Sequence, residues 1–267
     1  MELQGRLPDI RKSGLSLAAI SYDPVSTLSD FAKRRGITFP LLSDPGSDTI
    51  KRYGILNTTI DPKNALYGYP FPGTFIVDHR GVVTSRDFEP IYQERSTISS
   101  LLVRLGRRVD APATKVTGAH LELTSYTTDQ VAAPGTHFSL VVDARPEPRV
   151  HVYAPGASGY RPVRLTLDAQ PGIVVRETQF PKSEDYFFKP LNEHVPVFQR
   201  PFRIVQDVML DPSREGSVAL KDVTTLTIKG TFEYQACDDK VCFAPQSIPL
   251  SWSIGVKPLD RERPKPR

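Results

Sequence analysis

Cysteine is almost missing from this chain of 267 residues: there are two, Cys237 and Cys242, and none in residues 1–236. Any thiol chemistry must therefore come from one short stretch near the carboxy terminus. Histidine is sparse too. His79, His120, His137, His151 and His194 show no His-x-His or His-x₃-His spacing. Two cysteines need two further ligands to hold zinc, so metal is a weak reading and no metal or other cofactor is expected. No apolar run reaches the length of a membrane helix, so no membrane insertion by this chain is expected. The start Met1-Glu-Leu-Gln-Gly-Arg6 lacks the apolar core of a signal peptide. No basic stripe is present either. Residues 1–110 carry 15 Lys+Arg against 12 Asp+Glu, and the tail 257–267 carries five against two. Nucleic acid is thus not a favoured partner, and the tail reads as a disordered basic end.

What is there is concentrated around the cysteines. Leu226, Ile228, Phe232, Tyr234 and Ala236 alternate with polar residues before them, and Ile248, Leu250, Trp252 and Ile254 alternate after them. Period-two alternation marks half-buried strands. The pair should flank a hairpin loop, Asp238 to Val241. Opposed residues of an antiparallel pair have Cα atoms about 4.5–5.5 Å apart, a separation a disulfide accepts. The pair could close and open with little backbone movement, as a redox switch requires. A structural clip is the competing reading. A ring this short removes on the order of 2 kcal/mol of chain entropy in the loop-closure model, and a longer loop would stabilise more. Asp238 and Asp239 would raise a neighbouring thiol's pKa and Lys240 would lower it.

Two regions differ in pattern. Residues 1–106 alternate helix and strand signals: a strand at 15–20, a helix over Ser26–Arg35 stopped by Gly36, an extended piece at Phe39–Asp44, a hairpin over Thr74–Thr84, and an amphipathic helix over Thr97–Leu105. Such alternation indicates an α/β layer. The stretches Ala19-Ile-Ser-Tyr-Asp-Pro24, Ile37-Thr-Phe-Pro-Leu-Leu-Ser-Asp44 and Pro72-Gly-Thr-Phe-Ile-Val-Asp78 resemble three motifs of the peroxiredoxin (redoxin) branch of the thioredoxin fold. That resemblance implies a thioredoxin-like domain and makes Pro72 a cis-proline candidate. In that family the reactive cysteine precedes the segment resembling Glu2-Leu3-Gln4. The half is therefore expected to lack its first strand, either because the true protein is longer or because this half is a redox-dead scaffold. A sheet without its central strand would expose backbone and apolar surface, which favours truncation. Peroxidase activity is not expected from this chain alone.

Residues 107–115 read as a linker. Beyond them come strand-like runs at Val116–Tyr126, His137–Ala144, Val150–Tyr153, Val163–Leu167, Ile173–Thr178, Phe202–Leu210, Leu226–Ala236 and Ile248–Ile254, separated by turn residues. About eight short strands over 116–256 predict a β-sandwich. Tyr234-Gln-Ala-Cys-Asp-Asp-Lys-Val-Cys-Phe-Ala-Pro245 and His151-Val-Tyr-Ala-Pro155 resemble the amino-terminal, immunoglobulin-like domain of the DsbD thiol:disulfide interchange protein. The resemblance implies a redox-active pair, Cys237 and Cys242, that exchanges with a thioredoxin-like partner, with Cys242 the attacked sulfur and Cys237 the resolving one. It also implies an extracytoplasmic, periplasmic setting and an aromatic cap loop. Within Asp185-Tyr-Phe-Phe-Lys-Pro190 the cap candidates are Phe187 and Phe188, with ordinary core packing the alternative. His151 is expected to be a core or edge residue rather than a catalyst. The leading reading is thus an electron-relay module. A non-catalytic binding sandwich with a structural disulfide, and a fragment of a peroxiredoxin-type antioxidant protein, stand as alternatives.

Overall fold

The computed structural model describes residues 2–64, 67–88, 94–188 and 192–258. The chain divides into two compact units, Met1–Arg108 and Val109–Arg267. Lys189 and Pro190 of the cap segment and residues 259–267 of the tail lie outside the described residues.

The first unit runs α1 (Glu2–Gly5), α2 (Leu7–Lys12), β1 (Ala19–Ser21), α3 (Val25–Arg35), β2 (Leu41–Ser43), α4 (Asp48–Arg52), β3 (Gly73–Val77), β4 (Val83–Phe88), β5 (Arg95–Ser96) and α5 (Ile98–Arg104). Helix α3 ends where Gly36 takes a left-handed conformation, φ 61°, and returns its N–H to the Ala32 and Lys33 carbonyls. Lys33, Arg34 and Arg35 lie in its last turn, where positive charge opposes the helix dipole. Thr97 caps α5 by accepting the Ser100 N–H at 3.1 Å. The strands form two short ladders: β1 pairs in parallel with β2, and β3 pairs antiparallel with β4. Facing edges of these pieces line a cavity of about 490 Å³ with Ala19, Phe31, Phe39, Leu41, Pro72 and Gly73 in its wall. The described peptide bonds are all trans, that before Pro72 included. This corrects the cis expectation. Trans is the default even for proline, and only tight surroundings reverse it; Pro72 instead leads straight into β3 beside an open cavity.

The second unit runs β6 (Ala113–Gly118), β7 (Leu121–Thr127), β8 (Val131–Ala132), β9 (Thr136–Pro146), β10 (His151–Tyr153), β11 (Arg164–Leu167), β12 (Ile173–Gln179), β13 (Glu184–Phe188), β14 (Glu193–Phe198), β15 (Phe202–Leu210), α6 (Arg214–Ala219), β16 (Thr225–Tyr234), β17 (Ala236–Cys237) and β18 (Gln246–Val256). One sheet has the order β12-β15-β9-β7-β6, a second β11-β16-β18-β8, and a third, smaller one β13-β14-β10-β17. Alternate residues of β9 (Phe138, Leu140, Val142) and of β15 (Ile204, Val208) meet Ile228, Phe232, Leu250, Trp252 and Ile254 of β16 and β18 in one core. Side chains of a strand alternate between faces, so each contributes every second residue.

Three elements differ from the sequence reading. Val116–Tyr126 is not one strand: it turns at Ala119-His120, with His120 at φ 63°, and belongs to the hairpin β6–β7. Strand β6 takes in Ala113–Lys115, placed above in the linker. Gly118 closes β6, but the two turn residues, Ala119 and left-handed His120, are neither Gly nor Pro, so the turn carries only a weak sequence signal. The β13–β14 hairpin, absent from the predicted strands, contains the whole described part of the cap segment.

Candidate functional site

The cysteines sit at the tip of the β16–β18 hairpin region, where Cys237 opposes Cys242 as an antiparallel pair with a 4.1 Å Cα separation and a disulfide joins them. The loop between them is self-organised. Asp238 N–H donates to the Val241 carbonyl (3.0 Å), and Asp238 Oδ1 accepts the N–H groups of Lys240 and Val241, each at 2.7 Å. Those backbone donors hold the Asp238 carboxyl below its usual range. Asp238 is thus a turn-former as well as a charge near the sulfurs. Asp239 accepts the Tyr186 hydroxyl at 2.9 Å. Lys240 is exposed, and its charge acts on Asp238.

The two sulfurs are not equivalent in access. Cys237, in β17, is 1% exposed, whereas Cys242 is exposed. Strand β17 pairs with β10, setting Cys237 opposite His151 and Ala236 opposite Val152. Alternation then sorts the side chains. Val152 and Ala236 enter the main core, while Tyr153 and Cys237 join Val195 and Val197 of β14 in a separate cluster on the other face. Tyr153 hydroxyl lies 3.2 Å from Cys237 Sγ and 3.3 Å from Cys242 Sγ. Disulfide sulfurs carry no proton, so the phenol is the donor. Burial above all pushes the Tyr153 hydroxyl well above its ordinary pKa, helped by neighbouring Tyr160 and Glu193. It therefore keeps its proton.

Other groups crowd this face. Tyr160 stacks on Tyr153 with ring centroids 4.1 Å apart, and its hydroxyl donates to Glu193 Oε1. His151 meets the edge of Tyr153 and lies against Tyr186, centroids 4.5 Å apart. Burial lowers the His151 pKa against the opposing pull of Asp239 and Asp238, so the ring is neutral near pH 7. On the far side of the hairpin, Phe243 stacks on His120, whose Nδ1 is 2.8 Å from Glu147.

The cap candidates fall differently from expectation. Phe187 and Phe188 belong to strand β13 rather than to a loop. Pairing with β14 puts Tyr186 opposite Val195 and Phe187 opposite His194. Tyr186 thus shares the disulfide's face, while Phe187 points the other way, rests on His194 and is 43% exposed. Phe188 stacks at 6.5 Å on Tyr186, one step further from the sulfurs. Of the Tyr-Phe-Phe run, Tyr186 is the residue packed against the cluster that contains Cys237. Tyr160 and Glu193 were not singled out in sequence, since nothing local links positions 153, 160, 193 and 237. Among the described residues no group of three His, Cys, Asp or Glu is placed to hold a metal ion, and no helix is long and apolar enough to cross a membrane.

Comparison with known proteins fits these two units. Residues 1–86 match the AhpC/TSA family, and residues 123–249 match the amino-terminal domain of thiol:disulfide interchange protein DsbD. Alkyl hydroperoxide reductase E from Mycobacterium bovis is 33% identical over 84 residues, covering 31% of this chain and 50% of that protein; its Mycobacterium tuberculosis counterpart gives the same figures. The chain spans about half the length of the curated relatives it matches. Among solved structures, the amino-terminal periplasmic domain of ScsB from Proteus mirabilis aligns over 53% of this chain and 51% of its own, at 13% identity and TM-score 0.37. The reduced amino-terminal domain of Neisseria meningitidis DsbD aligns over 44% and 81%, at 14% identity and TM-score 0.29. A thioredoxin-like amino-terminal region is thus followed by a β-rich domain that matches the immunoglobulin-like DsbD amino-terminal domain.

Proposed function

We propose that the second unit is a thiol–disulfide exchange module that passes electrons through Cys237 and Cys242 to or from a thioredoxin-like protein. The observation that carries this reading is the asymmetry of the pair: one sulfur exposed at a loop, its partner buried against a phenol donor. A partner thiolate attacks Cys242 Sγ, a mixed disulfide forms, and Cys237 leaves and later resolves it. The geometry supports this division of roles, because an exposed sulfur is the more reachable one and a leaving sulfur gains from a nearby donor. The match to the DsbD amino-terminal domain supports the same partner class.

The test is to trap the intermediate. Cys237→Ser should accumulate a covalent adduct with a thioredoxin-like protein carrying a single reactive cysteine, and Cys242→Ser should not. If neither variant traps one, the structural clip is the better reading. If only Cys242→Ser does, exchange stands with the roles reversed. A redox titration separates the readings independently. A clip should titrate well below the glutathione pool, an exchanging pair near thioredoxin-like potentials.

A further inference from the structure

We infer that His120, through its stack on Phe243, is a positioning residue that keeps Cys242 beside Cys237 after the disulfide opens and so sets the reduction potential of the pair. The inference rests on the exchange reading above and adds the device that brings the two sulfurs back together. An exchanging pair spends part of its cycle open, and the 4.1 Å approach of the two Cα atoms is then no longer held by a covalent bond. Cys242 lies on an exposed arm: within residues 241–245 only Phe243 is half-buried. Three ties hold Phe243 from outside the ring that the cysteines close. Its N–H donates to the Ala236 carbonyl at 2.9 Å, its carbonyl accepts Gln235 Nε2 at 3.2 Å, and its ring stacks on His120 with centroids 3.8 Å apart and planes 25° from parallel. The first two ties come from the Cys237 side of the same hairpin. His120 comes from the β6–β7 turn and is placed independently of the cysteines.

The turn that carries His120 is itself anchored. Tyr234 hydroxyl donates to the Ala119 carbonyl at 2.7 Å, and Gly118 leaves no room for a Cβ beside that hydroxyl and Ile248. Tyr234 and Ile248 belong to β16 and β18, the strands that carry the hairpin. His120 sits at φ 63°, a left-handed conformation that histidine, asparagine and aspartate adopt more readily than most residues. Glu147 Oε2 lies 2.8 Å from His120 Nδ1, and the Glu147 N–H donates to the His120 carbonyl at 3.1 Å. Backbone and Glu147 together aim one face of the imidazole at Phe243. A ring fixed in this way limits the freedom the arm gains when the disulfide breaks, so Cys237 meets Cys242 at a higher effective concentration. The coupling is reciprocal: the disulfide makes the stack easier to form, so the stack favours the disulfide. Reduction breaks the Cys237–Cys242 bond. Two electrons and two protons pass from a dithiol to the two sulfurs, which become thiols, and the dithiol closes to a cyclic disulfide. Loss of the stack should therefore favour the thiols and make the potential less negative. A slack arm would also delay the attack of Cys237 on the mixed disulfide that Cys242 forms with a partner.

The experiment titrates the full chain in mixtures of reduced and oxidised dithiothreitol and counts free thiols after alkylation. His120→Asn keeps a residue that accepts the left-handed turn but removes the ring, whereas His120→Tyr keeps a ring to stack. His120→Asn should shift the equilibrium toward the thiols by about two- to tenfold, the range that the energy of an aromatic pair spans; tenfold corresponds to about 30 mV. His120→Tyr should lie closer to the wild type than His120→Asn does. Phe243→Leu should shift the equilibrium as His120→Asn does, and the two changes combined should add nothing further, because they remove one shared contact. A wild-type equilibrium in His120→Asn, or a shift toward the disulfide, would overturn the inference and leave exchange standing. So would a His120→Tyr variant that matches His120→Asn, or shifts that add in the double variant. A wild-type disulfide that stays closed throughout the titration would remove the exchange reading itself, and this inference with it.

Discussion

The two units of this chain use their strands in opposite ways. In the described residues of the first, the ladders β1–β2 and β3–β4 are each two-stranded, and large apolar side chains such as Ile20 and Leu42 on these strands stay exposed, at 41% and 50%. In the second, long ladders such as β16–β18, paired from Thr225–Gly255 to Tyr234–Gln246, enclose a continuous core. A two-stranded ribbon is marginal alone in water, whereas several strands over a shared apolar face are self-supporting. The cysteines belong to the self-supporting unit. A reactive pair gains from this, because rigid strands fix which sulfur is covered and where its donor lies.

The sharpest test of that contrast is chemical. Replacing Cys237 or Cys242 should abolish dithiol-dependent exchange, while substitutions confined to β1 or β3 should leave reduction by dithiothreitol unchanged. A stopped-flow comparison decides, and loss of exchange in a β1 or β3 variant would place part of the machinery in the first unit. The next largest effect is on stability. Phe232, 0% exposed in the core, should cost about 3–5 kcal/mol when changed to Ala; Ile20→Ala, at an exposed strand position, should change stability by less than about 0.5 kcal/mol. Denaturant titration of the full chain measures both, and equal losses would break the comparison.

Smaller effects sharpen it within the second unit. Tyr186→Ala should speed reduction by about two- to fivefold, since it uncovers the face that holds the sulfurs; Phe187→Ala, pointing the other way, should leave the rate within error. The reverse result would restore Phe187 as the cover. The smallest effect is a pH dependence of stability from His151. Its folded pKa is lowered, so the folded state prefers the neutral ring. The stability tied to that preference is present above the unfolded value of about 6.5 and is lost as pH falls through the folded pKa. Thermal melts of wild type and His151→Phe should therefore diverge in slope below about pH 6.5, and parallel curves would show that the ring titrates as in the unfolded chain.

Much of this was open to reading in the sequence, and the failures have specific causes. Alternation around Cys237 and Cys242 identified the hairpin because both flanking strands bury one face, which is the condition under which period two appears. The α3 helix was visible from a different local signal, the glycine stop at Gly36 that closes it in a left-handed cap. The β13–β14 hairpin was not, because Glu184–Phe188 runs charges straight into three consecutive aromatics and so shows no period-two pattern, and none of its positions is fully buried. The placement of the cap candidates was hidden for a related reason: in a strand, neighbours point to opposite faces, so the register puts Tyr186 on the disulfide's face and Phe187 on the other.

By itself the sequence determined the division into an α/β half and a β-rich half, the absence of cysteine from the first 236 residues, and the closeness of Cys237 and Cys242. All three follow from composition and local periodicity. Only the tertiary structure decided that Cys237 is the covered sulfur, that Tyr153 reaches both sulfurs, and that Tyr160 stacks on Tyr153 while its hydroxyl meets Glu193. These depend on pairing of β17 with β10 and of β10 with β14, strands distant in the chain. Such register is settled by which faces are buried together across the whole unit, a condition that no short window of sequence contains.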